Sequence, residues 1–398
     1  MNIFSLRTAT WLGVTVVAAG LLGAAGCSSS GSSSTSSPSS SPNTGSSSAG
    51  ASAGGTSTSA LAANQIVQAT TLKHSFQPNG KGAATTESLT QPDDIVTLGG
   101  NLYVGFQNGV GSQGEVSTSG NLDSTLVEFT PVGSLVKQWD VTGKIDGMGA
   151  DSATGQVIMT VNEDSKSSLY TVSGGTVAHY TYTPSSLPHT GGTDAVSVYN
   201  GKILISASAP GTSGKAPASA PTVFVVTLNA GSKTAAVTSF FADNATATEV
   251  NAGKKVTLAL TDPDSNTVVP SSSPEFGGDF VLDAQGDLEL IFSGASGQNL
   301  QVLKLSQSVD DTAWATSASG KLYTTDSSAD TVDVITGSFT PGTAYTSVTP
   351  CNANSAPPTC PAPGYPNNYL GTINLKTGKV SQVAASGVFT PKGLIFVP

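Results

Sequence analysis

One short pattern recurs along this chain and limits what it can fold into. An apolar strand is followed by a turn closing on Gly, then a polar residue, then a second apolar strand. It reads DDIVTLGGNLYVGF at 93–106, DAVSVYNGKILIS at 194–206 and DFVLDAQGDLELIF at 279–292. Looser copies are DGMGADSATGQVIMTV at 146–161 and DDTAWATSASGKLYTT at 310–325. The G-N, N-G-K and Q-G-D turns supply residues that tolerate the positive φ of a tight hairpin. Most copies precede another strand pair, such as STLVEFTP with SLVKQWDV, or SSLYTVS with TVAHYTYT. A unit this small cannot bury its apolar surface alone, so repeats of it must pack on one another.

Four short antiparallel strands per unit, repeated around a circle, resemble a β-propeller. The expected fold is all-β, with six blades and seven as the alternative. It follows a signal peptide and a disordered Ser/Gly-rich linker. The resemblance covers nearly all of 64–398, although neither a WD dipeptide nor a kelch signature occurs. It extends to uncharacterised exported proteins of this architecture. Inner strands are expected to start near Asp93, Asp146, Asp194, Asp310 and Lys392. The remaining start is Asp264 or Asp279. Asp279 has the better hairpin pattern but leaves too little chain for four strands before Asp310. The C-terminal FTPKGLIFVP resembles the first strand of one more unit, and residues 64–90 are expected to supply the rest of that blade. A pair of β-sandwiches is the competing fold.

The N-terminus places the chain. MNIFSLRTATWLGVTVVAAGLLGAAGC has one arginine, an apolar run from Trp11 to Leu22 and a small-residue exit. That is a secretory signal, too short to span a bilayer comfortably. Ala24-Ala25-Gly26-Cys27 resembles a bacterial lipobox, although Ala24 stands where the pattern prefers leucine. The resemblance implies cleavage after residue 26, lipid (palmitate) on Cys27 and a membrane anchor on the extracytoplasmic face. Residues 28–60 are almost wholly Ser, Gly, Thr, Ala and Pro, without charge or aromatic rings. Such a segment cannot bury enough apolar surface to offset its ordering entropy. The expected parts are thus a signal at 1–26, the lipidated Cys and linker at 27–63, and a propeller at 64–398.

Charge narrows the partners. Sixteen Lys and Arg against 26 Asp and Glu give a net charge of −10. No basic patch occurs, so nucleic acid is not expected as a partner. The expected partners are the membrane, through the anchor, and an envelope glycan, peptide or protein, with the chain a monomer. Besides Cys27 there are two cysteines, Cys351 and Cys360, in the Pro/Asn-rich PCNANSAPPTCPAPGYPNN. In an oxidising compartment they are expected to form one local disulfide.

The repeat puts an acid at the start of most inner strands. Asp93, Asp146, Asp194, Asp264 and Asp310 would ring one mouth of a central channel. Clustered carboxylates repel, so they stay hydrated or gather a cation such as Ca²⁺. Gluconolactonase-like six-bladed enzymes, which the chain resembles in this respect, hold a divalent metal there. Their ligand set cannot be matched here, and Lys392 takes the sixth place. The plainer reading is that these Asp residues cap turns and accept backbone N–H bonds. DPDSN at 262–266 alternates Asp262, Asp264 and Asn266, which reads as a turn before it reads as a calcium loop. His189, five residues before Asp194, is the best general-base candidate among His74, His179 and His189. Trp139 is expected on an outer strand and Trp314 on an inner one, where either core packing or sugar stacking would use them. No GxSxG, HExxH, P-loop or GxGxxG motif occurs. The sequence therefore favours a binding or scaffold module over an enzyme, with a metal-dependent, lactonase-like hydrolase as the alternative.

Overall fold

The computed structural model describes residues 60–184, 187, 192–208, 219–349, 368–385 and 390–398. Cys27, Cys351, Cys360, His189 and the whole signal and linker to residue 59 lie outside the described residues. The first strand, Ala62–Gln68, begins just before the expected domain boundary.

The described chain is a β-propeller. Blade 1 runs outward through Pro92–Leu98, Asn101–Phe106, Asp123–Phe129 and Leu135–Thr142. Blade 2 uses Ile145–Asp151, Gln156–Val161, Ser168–Ser173 and Thr176–Thr183. Blade 3 uses Val196–Tyr199, Lys202–Ser206, Pro221–Asn229 and Thr234–Ala242. The outer strands of blades 2 and 3 pair in parallel over Thr181–Thr183, which joins them into one sheet of eight strands. Blade 4 uses Pro263–Val268, Phe280–Ala284, Glu289–Ser293 and Leu300–Lys304, and the hairpin Thr246–Glu249/Lys255–Thr257 adds to its outer edge.

Two expectations fail in the last third of the chain. Val309–Trp314 does not pair with Lys321–Asp326 as the hairpin pattern suggests. Its neighbour is Ala344–Val348, followed by Tyr369–Ile373 and Val380–Gln382, and these make blade 5. Lys321–Asp326 and Thr331–Thr336 belong to blade 6 instead. The inner strand of blade 6 is the C-terminal Pro391–Val397, and its outer strand is the N-terminal Ala62–Gln68. Residues 64–90 therefore give that blade one strand, not three. Lys73–Phe76 and Thr85–Ser88 form a separate hairpin, tied to blade 1 by Gln138 Nε2 on the Lys73 carbonyl at 2.9 Å. Of the two candidate starts for blade 4, Asp264 is the one observed and Asp279 is not. The 279–292 hairpin makes the second and third strands of blade 4, and DPDSN is not a turn but the entry to its inner strand.

The core is divided rather than central. Leu126, Ile145, Val157 and Met159 pack between blades 1 and 2. Ile158, Tyr182, Ile205 and Phe224 pack between blades 2 and 3. Four similar clusters continue round the molecule, the last setting Val104 and Phe106 against Tyr323 and Val332 between blades 1 and 6. Side chains alternate along a strand, so Val157 and Met159 face one neighbour while Ile158 faces the other. Second strands lie between blades and are buried along most of their length, including the polar Thr324, Thr325 and Asp326 of Lys321–Asp326 and Thr346 and Ser347 of Ala344–Val348. The six innermost strands touch in cyclic order and close on themselves, with Pro391–Val397 against Pro92–Leu98.

Polar ties hold that ring. Asp94 accepts the N–H of Met148, on the next inner strand, at 2.5 Å and the Ile95 N–H at 2.6 Å. Asp311 does the same with Leu394 at 2.6 Å and Thr312 at 2.7 Å. Hydroxyls on second strands donate to the carbonyl of the following blade's first acid: Thr160 to Asp194, Ser206 to Asp264 and Thr325 to Asp93. Asp94→Ala should therefore lower stability by about 2 kcal/mol, since two backbone donors lose their acceptor. Chemical denaturation compared with Ser232→Ala, a surface turn substitution, measures this.

Candidate functional site

The inner strands start at one end of the molecule, and the second strands return there. The ring of starts surrounds a cavity of about 810 Å³. Asp93, Asp146, Asp194, Asp264, Asp310 and Lys392 all line it, one from each inner strand except Asp194, which lies two residues before its own. The connections that begin at this end include the long ones, 107–122 and 243–262 among them. His189 falls in the connection between blades 2 and 3, outside the described residues.

Two lysines interrupt the acids. Lys144 Nζ lies 3.2 Å from Asp146 Oδ1 and also pairs with Glu163. Lys392 Nζ lies 2.7 Å from Asp310 Oδ2. Burial opposes ionisation of Asp146, but Lys144 and hydrogen bonds from Asp194 and Glu163 outweigh it and hold its carboxyl at about 2. The other acids move the opposite way. Burial raises Asp93 to about 7 despite Lys392. Burial and the Asp146 charge raise Glu163 to about 8. Asp194 and Asp264 are pushed well above the usual carboxylate range, by burial first and by neighbouring carboxylates second. The two neighbours Asp146 and Asp194 are thus shifted in opposite directions.

Ligand atoms of Asp146, Glu163 and Asp194 all lie within 4.8 Å of one another. Such a set could hold a divalent ion, and the Asp146–Asp194 half of it belongs to the expected ring. The other expected ligands, Asp93, Asp264 and Asp310, share the cavity but lie outside this cluster. Lys144 already places an ammonium against two of its three members.

Side chains that the sequence did not single out complete the lining. Lys144 precedes its inner strand, and Glu163 follows a second strand, where antiparallel return brings it to the mouth. Gln107 and Gln285 arrive the same way. Gln107 Nε2 donates to the Ile145 carbonyl at 3.1 Å, and Gln285 Nε2 donates to Asp264. The usable signal was the polar residue just past each second strand, read with the acid it faces.

The remaining candidates are structural. His74 sits between Glu87 and Asp140, at 3.3 and 3.5 Å. His179 stacks on Tyr170 and hydrogen-bonds Ser168 Oγ at 2.8 Å. Trp139 lies on the outer strand of blade 1, donates to the Gly175 carbonyl at 3.1 Å and carries Lys137 over its ring. Trp314 is buried on the inner strand of blade 5 and lines the cavity.

No family model matches this sequence, and no curated protein matches it. Among solved structures the chain is similar to a protein of unknown function from Bacteroides caccae. The two are 9% identical with a TM-score of 0.43, over 86% of this chain and 99% of that one. It is also similar to a streptogramin B lyase (10% identity, TM-score 0.39, 83% and 93% covered). A luciferin-regenerating enzyme is a third (12% identity, TM-score 0.35, 69% and 88% covered).

Proposed function

We propose that this propeller is an extracytoplasmic binding or scaffold module, anchored to a membrane through lipid on Cys27 and the 28–63 linker. Its mouth recognises an envelope glycan, peptide or protein. The observation that carries this reading is the acidic cavity at the end where the long connections begin. Loops on a rigid scaffold around a concave polar site are the usual arrangement for recognition. Recognition at such a cavity requires no catalytic constellation. The test is a panel of defined envelope polysaccharides, peptides and purified envelope proteins, titrated against the full chain by interferometry. A saturable response lost in Asp194→Lys, which leaves the interblade cores untouched, supports the reading. A response unchanged by that variant, or none at all, overturns it.

The Asp146–Glu163–Asp194 cluster favours a second reading, a metal-dependent hydrolase. Elemental analysis after dialysis should then find one divalent ion per chain, with chelator lowering the melting temperature. We expect no such ion, because the Lys144 ammonium already sits against Asp146 and Glu163, two of the three ligands.

A further inference from the structure

The two lysines divide the ring unequally. In order round the mouth come Asp93, Asp146, Asp194, Asp264, Asp310 and Lys392. Lys144 pairs with Asp146, and Lys392 pairs with Asp310. Asp194 and Asp264 stand next to each other on neighbouring inner strands, and no lysine pairs with either among the described residues.

The same sector holds unused hydrogen-bonding capacity. Asn266 is only 7% exposed. Its Nδ2 donates to the Ala195 carbonyl at 3.0 Å and to Ser206 Oγ at 3.4 Å, and this leaves Oδ1 without a partner. Ser197 is 8% exposed, and its Oγ also has none. Both residues line the cavity, on the inner strands that begin beside Asp194 and with Asp264. The Asn266 bond to Ala195 and the Ser206 bond to the Asp264 carbonyl hold the two strands in fixed register. Buried polar atoms without partners are rare in folded proteins and call for an occupant.

We infer that this sector is a subsite for a primary ammonium group, and that the ligand is a hydroxyl-rich amine of the amino-sugar class. The inference deepens the binding reading above and rests on it. Two carboxyl groups and the Asn266 Oδ1 offer three acceptors, which match the three N–H donors of an ammonium. Ser197 Oγ is left for a neighbouring hydroxyl. The protein sets the precedent itself, because both resident cations of the ring are ammonium groups seated against carboxylates.

The experiment is calorimetric titration of the full chain with glucosamine, N-acetylglucosamine and Ca²⁺ in turn. The two sugars share their ring hydroxyls, but acylation removes the positive charge. Glucosamine should bind saturably, and N-acetylglucosamine about tenfold or more weakly, the size of one charge-assisted hydrogen bond. Asn266→Ala and Asp264→Asn should each cost glucosamine about the same factor, with melting curves checked for an intact fold. The inference is overturned if both sugars bind alike, if glucosamine ignores both substitutions, or if Ca²⁺ binds stoichiometrically and displaces it. It is overturned as well if neither sugar binds. In that event, a surviving response to the envelope panel leaves the binding reading standing, and a silent panel removes both.

Discussion

Between pH 5 and pH 8 the melting temperature of this protein is expected to fall by about 5 °C, against the usual trend for carboxylate-rich domains. Burial holds Asp93 and Asp311 at about 7 and Glu163 at about 8, and it pushes Asp94, Asp194, Asp264 and Asp283 well above their ordinary range. Each such group binds a proton more tightly folded than unfolded. Its contribution is complete below the unfolded value near 4 and is lost as pH rises through the folded value. His74 acts with the same sign. Burial alone would lower it, but Asp140 and Glu87 raise it on balance. Asp146 opposes: its stabilisation is present above 3.8 and is lost only as pH falls through about 2. A tenfold difference in proton affinity between the folded and unfolded chain corresponds to about 1.4 kcal/mol. The groups share one channel and are partly hydrated there, so together they contribute far less than they would separately. A net loss of about 3 kcal/mol, at about 1.5 °C per kcal/mol for a domain of this size, gives the expected fall. Asp283 tests the cause separately. It is 3% exposed and neither carboxyl oxygen has a partner, so Asp283→Asn should flatten the profile at its alkaline end. A melting temperature that rises from pH 5 to pH 8 sinks the account.

Much of the architecture is written locally, and so it could be read. Gly99-Gly100 and Asn200-Gly201 have positive φ throughout, as their hairpins require. The acid at each strand start is equally plain, and five of these residues do meet in one cavity. The pattern is silent where the partner of a strand is chosen at a distance. SASGKLYTT looks like any other hairpin, yet Trp314 pairs with Ala344 and Leu322 with Phe396. A local turn signal shows that two strands are near in sequence, not that they share a ladder. The Q-G-D turn at 285–287 misleads for a related reason. A hairpin has the same sequence pattern whether its strands are first and second in a blade or second and third. At the site, strand starts were legible because they repeat. Lys144, Glu163 and Asn266 do not repeat, and their meaning comes only from the acids they face.

Gly147→Val should be the most damaging single substitution on the inner ring, costing at least about 3 kcal/mol. Neighbouring inner strands of a propeller converge toward the axis, and here one of them has no room for a side chain. A Cβ on Gly147 would lie 2.3 Å from the Ala195 Cα and 2.5 Å from the Asp194 carbonyl oxygen. Both obstacles are backbone, so no rotamer change relieves them. The strands of blades 2 and 3 would have to separate, which also stretches the bond from Thr160 to the Asp194 carbonyl. Gly393 repeats the arrangement at the ring's closure, where a Cβ would meet the Asp93 carbonyl at 2.6 Å and the Asp94 Cα at 2.8 Å. Gly393→Val should therefore be similarly costly, with the added effect of loosening the C-terminal strand. Gly294→Ala is the control, since a Cβ there meets nothing within 4 Å and the backbone is not left-handed. Urea unfolding of the three variants separates the explanations. If Gly147→Val loses no more stability than Gly294→Ala, the spacing of the ring sets no limit there, since replacing glycine at a compatible position by itself stabilises through the unfolded chain. If only the ring variants fall, and calorimetric glucosamine binding falls with them, then the approach of Gly147 to Ala195 is also what sets Asp194 in place at the mouth.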